Sequence, residues 1–307
     1  MFQKIKVIVN PASGKDRPII QVLNRVFQEL GIAWDLCLTK QDEDVQSFID
    51  TALQEQVDAV AVYGGDGTIM DAVGGLVNSD IPVLLLRGGT ANVVASELSI
   101  PKDLEEACRL LAPDRHVLRQ IDVGRINERY FLLRVSVGFE AEMVKQAERE
   151  MKDQIGTLAY AVGMFKAMVG MHSARYTLAL DGDDITMDAL TCIIANSGNM
   201  GLPGLTLARD IEVDDGKLDV ILIRQPQWQD FFTAKNFVID TRESDATFFH
   251  RKVQKVAVKV DPPQDVQCDG EIIQKDTFSI EVLPGAIKMI VPEQSGFSDQ
   301  FNTQEDA

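Results

Sequence analysis

The run Ala59-Val60-Ala61-Val62-Tyr63 is followed directly by Gly64-Gly65-Asp66-Gly67-Thr68, and then by apolar residues at helical spacing. A buried strand feeding a glycine turn that opens a helix constrains the fold more than any other feature, because it belongs to a parallel sheet wrapped by helices. The same arrangement aims backbone N–H groups and a helix N-terminus at one point, where a phosphate is bound well. Three glycines let the main chain approach oxygens with no Cβ between them. Asp66 would repel a phosphate unless a divalent cation lay between, so the loop implies magnesium as much as a nucleotide.

Strand then helix recurs throughout residues 4–86. Residues 5–9 are a β-branched strand, and 10–14 a turn. Leu23, Val26, Phe27 and Leu30 then recur at helical spacing after Pro18. A second strand at 33–38 precedes an amphipathic helix marked by Val45, Phe48, Ile49, Ala52 and Leu53. Residues 59–63 and 83–86 are the third and fourth strands. The alternation predicts a Rossmann-like parallel sheet with its ligand at the carboxyl ends of the strands. After Gly124 the rhythm changes to short strand candidates at 130–137, 175–180, 185–194, 218–224, 253–260 and 278–282. They are separated by turns such as Asp181-Gly182-Asp183, and predict antiparallel β, a sandwich or an irregular barrel. Residues 140–153 and 154–171 have helical spacing. The expected organisation is α/β: a nucleotide-binding domain over 1–124, a β-rich domain over 125–292 and a polar tail over 293–307.

At 307 residues and 45% hydrophobic composition the chain can fill two cores. A net charge of −17 argues against nucleic acid, whose phosphates are bound by Lys and Arg, and against a broad basic face for anionic lipid. Four scattered cysteines and three histidines give poor support for zinc. No apolar stretch has the length of a bilayer span and no secretory signal is read, so the expected compartment is the cytoplasm. Any membrane contact is expected to be peripheral, local and mostly apolar.

Three glycine-bearing turns follow strands in the first domain: Asn10-Pro11-Ala12-Ser13-Gly14, the Gly64-to-Thr68 loop, and Gly88-Gly89-Thr90-Ala91-Asn92. All three are expected to open at one edge of the sheet, which turn chemistry alone does not require. Gly14-Lys15-Asp16 lacks the elements of a Walker A loop, Met70 stands where a dinucleotide fingerprint needs glycine, and no protein-kinase motif set is present.

These turns, with Ile121-Asp122-Val123-Gly124 and Asp269-Gly270-Glu271, resemble in order the motif series of the diacylglycerol kinase catalytic-domain family. That family includes bacterial lipid kinases and the sphingosine and ceramide kinases, and is distantly related to NAD kinases. The resemblance runs from Ile5 to about Val291. It implies an ATP- and magnesium-dependent kinase acting on a lipid hydroxyl, of diacylglycerol or a related lipid, at the membrane surface. By the same resemblance Asn10, Ser13, Gly64, Gly65, Gly67, Thr68, Gly89 and Thr90 line the ATP site. Asp66, Asn92 and Asp122 lie near the nucleotide and its magnesium. Asp269 is the general base, and Glu271 assists it or the metal. Asp214-Asp215-Gly216 resembles an acidic turn that holds a second, structural magnesium through a carboxylate and backbone carbonyls, with Asp215 as ligand. A homodimer stays open.

Two positions depart from the pattern: Val93 follows Asn92 where many relatives have Asp, and Arg87 stands where many carry an uncharged residue. Simpler readings accompany the sharper ones. Asp269-Gly270 alone is a type I′ hairpin turn, Asp214-Asp215-Gly216 is equally a solvated turn, and Cys268 is a small core residue. The competing functions are a soluble-substrate kinase of NAD kinase type and a nucleotide-binding regulator that has lost catalysis.

Overall fold

The computed structural model describes residues 2–14, 18–40, 45–138, 172–200, 206–208, 210–224, 238–239, 248–273 and 277–293. The expected helices at 140–153 and 154–171, and the tail beyond 293, lie outside the described residues. The fold divides into two compact units, one running to Gln120 and regaining the chain at Ile287, the other Ile121–Ala286.

In the first unit strands β1 (Lys4–Val9), β2 (Ala33–Leu38), β3 (Ala59–Gly64) and β4 (Val83–Arg87) alternate with helices α1 (Ile19–Glu29), α2 (Val45–Glu55) and α3 (Asp66–Leu76). Two short helices, α4 (Val93–Glu97) and α5 (Leu104–Cys108), lead to β5 (His116–Ile126). The sheet order is β2-β1-β3-β4, all parallel, and Met289 near the end of the chain pairs in parallel with Val83 of β4. Every residue of β3 is buried, as a strand covered on both faces requires. The helices supply the cover through stripes at i, i+3 and i+4: Leu23, Val26 and Phe27 on α1, and Ile69, Ala72, Val73 and Leu76 on α3. From β1 the chain builds β2 on one side and then β3 on the other. The crevice beyond the carboxyl ends of β1 and β3 is therefore the switch point where such sheets bind ligands.

The second unit is antiparallel apart from the small parallel pair β11–β13. Its strands are β6 (Arg129–Phe131), β7 (Arg134–Val137), β8 (Ala174–Leu180), β9 (Asp183–Ala189), β10 (Thr191–Ala195), β11 (Thr206–Ala208), β12 (Leu218–Ile223), β13 (Val238–Ile239), β14 (Phe248–Val253), β15 (Lys255–Asp261), β16 (Val266–Cys268) and β17 (Glu271–Ile273), with the long β18 (Thr277–Pro292) last, its end from Ile287 belonging to the first unit. One layer has the order β14-β12-β10-β7-β16-β17, and the other runs β18-β15-β8-β9. β15 alternates between exposed and buried, and its inward residues Val256, Val258 and Val260 pack with Tyr176 and Leu178 of β8, Ile194 of β10 and Val220 of β12. The expected sandwich is thus present.

Three strand expectations need correction. Residues 130–137 form two strands, because the chain bends at Leu132 and Leu133, whose N–H groups leave the ladder for the side chain of Asp269. Residues 185–194 divide at Leu190 between the two layers. The strand expected at 278–282 continues through Pro284-Gly285 to Pro292, and the Gly285 N–H goes to Asp122.

Candidate active site

The parallel register sets the ends of β1, β3 and β4 level: Val9 lies opposite Tyr63, and Gly64 opposite Arg87. All three glycine-bearing turns therefore leave from one sheet edge. Asn10 donates its N–H to the Tyr63 carbonyl at 2.9 Å, and Gly88 and Gly89 both donate to the Gly64 carbonyl at 3.0 Å. The turns are in close contact. A Cβ at Gly14 would lie 2.9 Å from the Gly88 oxygen, one at Gly88 3.0 Å from the Gly64 nitrogen, and one at Gly89 2.6 Å from Cα of Gly65.

Gly67 is different, since a Cβ there meets nothing within 4 Å and its φ is not in the left-handed region. Neither packing nor backbone strain explains a glycine at this exposed position in the first turn of α3. The glycine leaves the main chain there open to the close approach of a ligand.

Side chains hold the loops in place. Asn10 donates from Nδ2 to Oγ1 of the buried Thr68 at 3.0 Å, and accepts the Ala12 N–H on Oδ1 at 3.0 Å. Ser13 closes the first turn with its N–H on the Asn10 carbonyl at 3.1 Å. Asn92 is buried in the left-handed conformation, φ 49°, with its amide turned on Gly89: Oδ1 accepts the Gly89 N–H at 2.8 Å and Nδ2 donates to the Gly89 carbonyl at 2.6 Å. Asn92 thus fixes the third loop, while Thr90 at its tip is exposed. Val93, the apolar departure, is buried as the first residue of α4.

Asp66 begins α3, where a carboxylate suits the helix dipole. Its Oδ1 takes the Val94 N–H at 3.3 Å, while Oδ2 makes no hydrogen bond among the described residues. A single carboxylate with a lone pair to give suits a magnesium that draws its remaining ligands from phosphates and water. Arg87, the other departure, ties β4 to α4 by donating to Ser96 Oγ at 2.9 Å and to the Ala95 carbonyl at 3.0 Å. Burial lowers its pKa, and the charge of Asp66 opposes that shift. Lys15 lies outside the described residues.

The second unit holds the other predicted carboxylates. Asp269 and Gly270, at φ 43° and 92°, form the two-residue turn between β16 and β17, with Cys268 paired to Glu271. The type I′ reading is correct for the backbone. The side chain does more than the turn requires. Its Oδ2 accepts the Leu132 N–H at 2.8 Å and its Oδ1 the N–H groups of Leu133 at 3.1 Å and Arg134 at 2.8 Å. Burial raises the pKa of Asp269 above the ordinary aspartate value, and these amides only partly offset it. Glu271, on the same hairpin, is exposed and paired with Arg129 at 2.6 Å. Asn196 buttresses the cradle. Its N–H donates to the Leu133 carbonyl at 2.9 Å, and its Nδ2 to the carbonyls of Asp122 and Leu132 at 2.9 and 3.0 Å. The sequence signal for Asn196 is the change from the apolar run of β10 to the polar stretch Asn196-Ser197-Gly198-Asn199. The Leu132–Arg134 amides have no sequence signal.

Asp122 and Asp215 meet at the acidic turn. Both oxygens of the buried Asp122 are bonded to amides, Oδ2 to Gly216 at 2.6 Å and Oδ1 to Gly285 at 2.7 Å. Burial raises its pKa, those amides lower it, and Asp215 and Asp214 push it up again. Asp215 accepts the Lys217 N–H at 2.9 Å and the Lys252 ammonium at 2.5 Å. Gly124 closes the Asp122 motif for a steric reason, because a Cβ there would stand 2.1 Å from the Phe131 ring.

Residues 4–126 match the model of the diacylglycerol kinase catalytic domain, and residues 133–291 match that of the YegS C-terminal NAD kinase beta sandwich-like domain. The chain belongs to the diacylglycerol kinase catalytic-domain family. The first match ends with β5 and the second begins just before β7, so family sequence covers most of both units. Among its relatives, a Pseudomonas fluorescens protein named "Probable lipid kinase YegS-like" is 29% identical over 92% of this chain and 94% of its own length. An uncharacterized protein of Synechocystis sp. is 27% identical over 94% of this chain and 70% of its own. The crystal structure of a diacylglycerol kinase from Bacillus anthracis superposes with a TM-score of 0.74 at 20% identity, covering 95% of this chain and 98% of that one, and shows that the fold is shared. The reaction class that goes with family membership is that of a kinase. No helix among the described residues is long and apolar enough to cross a membrane.

Proposed function

We propose that this chain transfers the γ-phosphoryl group of ATP to a hydroxyl group of a lipid, diacylglycerol or a related lipid. The observation that carries the reading is the convergence of three glycine-bearing turns on one sheet edge at the β1–β3 switch point, with open space at Gly67. Phosphoryl transfer needs positioning and charge neutralisation more than covalent chemistry from the protein. The N–H groups at the start of α3 bind anionic oxygens, and Arg87 adds positive charge beside Asp66. Magnesium, which Asp66 would hold, supplies neutralisation of charge on the phosphates as transfer proceeds.

Asp269 is the base in this reading. It takes the proton of the lipid hydroxyl as that oxygen bonds to the γ-phosphorus and the bond from phosphorus to the ADP oxygen breaks. Its raised pKa makes it a better base than an exposed aspartate, and the Leu132–Arg134 amides fix its orientation. Relatives named as lipid kinases support a lipid acceptor. With a net charge of −17, contact with the membrane is peripheral and local. The test is an acceptor panel with γ-labelled ATP: micellar lipids, soluble alcohols and NAD. The reading expects magnesium-dependent label in the lipid phase. Label on NAD with none on lipid overturns it.

A further inference from the structure

The family resemblance puts a structural magnesium at the acidic turn, with Asp215 as a ligand, and the residues present do not fit one. Asp215 spends Oδ1 on the Lys217 N–H at 2.9 Å and Oδ2 on the Lys252 ammonium at 2.5 Å. Both oxygens of Asp122 are bonded to amides.

The turn nonetheless needs positive charge. Asp214 and Asp215 lie near enough to Asp122 to act on its carboxyl, and Glu212, Asp215 and Asp219 all act on Lys252. Asp122 and Asp219 are buried; Oδ1 of Asp219 pairs with His250 Nε2 at 2.6 Å, and its Oδ2 has no partner among the described residues. Like charges crowded into low dielectric demand a compensating cation.

We propose that the ammonium of Lys252 is that cation, fixed in the chain where a divalent ion would otherwise sit, so that the second unit is complete without a structural metal. Strand register delivers it. Lys252 on β14 stands opposite Asp219 on β12, from which its side chain reaches the turn that leads into β12. With side chains 29% and 18% exposed, Lys252 and Asp215 form a pair only partly open to water, where screening is weak. The inference does not depend on the proposed acceptor or on catalysis.

The experiment is calorimetric titration of magnesium and of calcium into the nucleotide-free protein, with Tm measured in chelator and in millimolar divalent ion. The wild type is expected to show no site that Asp215→Asn removes, and the same Tm in both media. Lys252→Met is expected to unfold at lower temperature in chelator, to gain one divalent site that a second change, Asp215→Asn, abolishes, and to recover Tm when that site fills. Lys252→Gln serves the same purpose if the methionine variant does not fold. An Asp215-dependent divalent site in the wild type, or a Lys252 variant that gains none, overturns the proposal. The readout is binding and unfolding, so loss of kinase activity for any other reason leaves the result unaffected.

Discussion

Replacing Asp269 by Asn separates the roles of its side chain. Asn tolerates φ 43° in the type I′ turn as well as Asp does, so the hairpin backbone is retained. The cradle is disturbed because Leu132, Leu133 and Arg134 all donate to the carboxylate, and an Asn must turn an NH2 toward one of those donors. Leaving a buried N–H unpaired costs about 1–3 kcal/mol. That lowers Tm at roughly 2–4 °C per kcal/mol for a unit of this size. Catalysis loses more, since removing a general base slows turnover ~100- to 10,000-fold.

The pH dependence carries the sign. The pKa of Asp269 is raised chiefly by burial, so the wild-type rate falls as the pH drops through a value above the ordinary aspartate range. That acid limb is absent from the residual activity of the variant. In stability the neutral acid is favoured by the fold, so its contribution is full below the unfolded pKa and is lost as pH rises through the folded one. The assay is the initial rate of label transfer to lipid across pH, beside ATP titration of the same variant. Nucleotide binding should persist. Unchanged turnover, or an acid limb that survives the substitution, would refute the role of Asp269.

Four further outcomes follow from the geometry. Gly67→Ala should leave stability unchanged or raise it by about 0.5–1 kcal/mol through helix propensity, because a Cβ there meets nothing, yet weaken ATP binding measured by calorimetry. Gly124→Ala should lower Tm through a loss of about 1–3 kcal/mol from overpacking against Phe131, seen by thermal or urea unfolding. Asp66→Ala should weaken ATP binding in magnesium far more than in its absence, while the loss of the 3.3 Å contact with Val94 costs little stability. Asn196→Ala should leave the Asp122 and Leu132 carbonyls without their donor, lowering stability by about 1–3 kcal/mol and reducing kcat more than KM by loosening the Asp269 cradle.

Most of the first unit was legible because its information is local. β-Branched runs give strands, apolar residues at i, i+3 and i+4 give the covering helices, and a parallel sheet forces the three turns to one edge. The Asp269-Gly270 turn was legible as a hairpin for the same reason. Its carboxylate cradle was not, because Leu132 and Asp269 are 137 residues apart and the donors are main-chain amides, of Leu132, Leu133 and Arg134, whose side chains give no sign of them. The break at Leu132-Leu133 was missed on the same account: those residues look like strand and leave the ladder only for a distant side chain. Pro284-Gly285 misled in the opposite direction, ending on paper a strand that continues to Pro292. Asp215 was named as a metal ligand by the family resemblance alone, and its ion pair with Lys252, 37 residues away, has no local signal in the sequence.

The central claim is that the glycine-bearing turns at the ends of β1, β3 and β4 form the cradle for a nucleotide's phosphates. Backbone hydrogen exchange of the full chain, with and without a non-hydrolysable ATP analogue and magnesium, tests it most directly. The account predicts protection concentrated at Gly65, Asp66, Gly67 and Thr68, and at Gly88 to Asn92. Protection elsewhere, with these amides exchanging as freely as before, would contradict it.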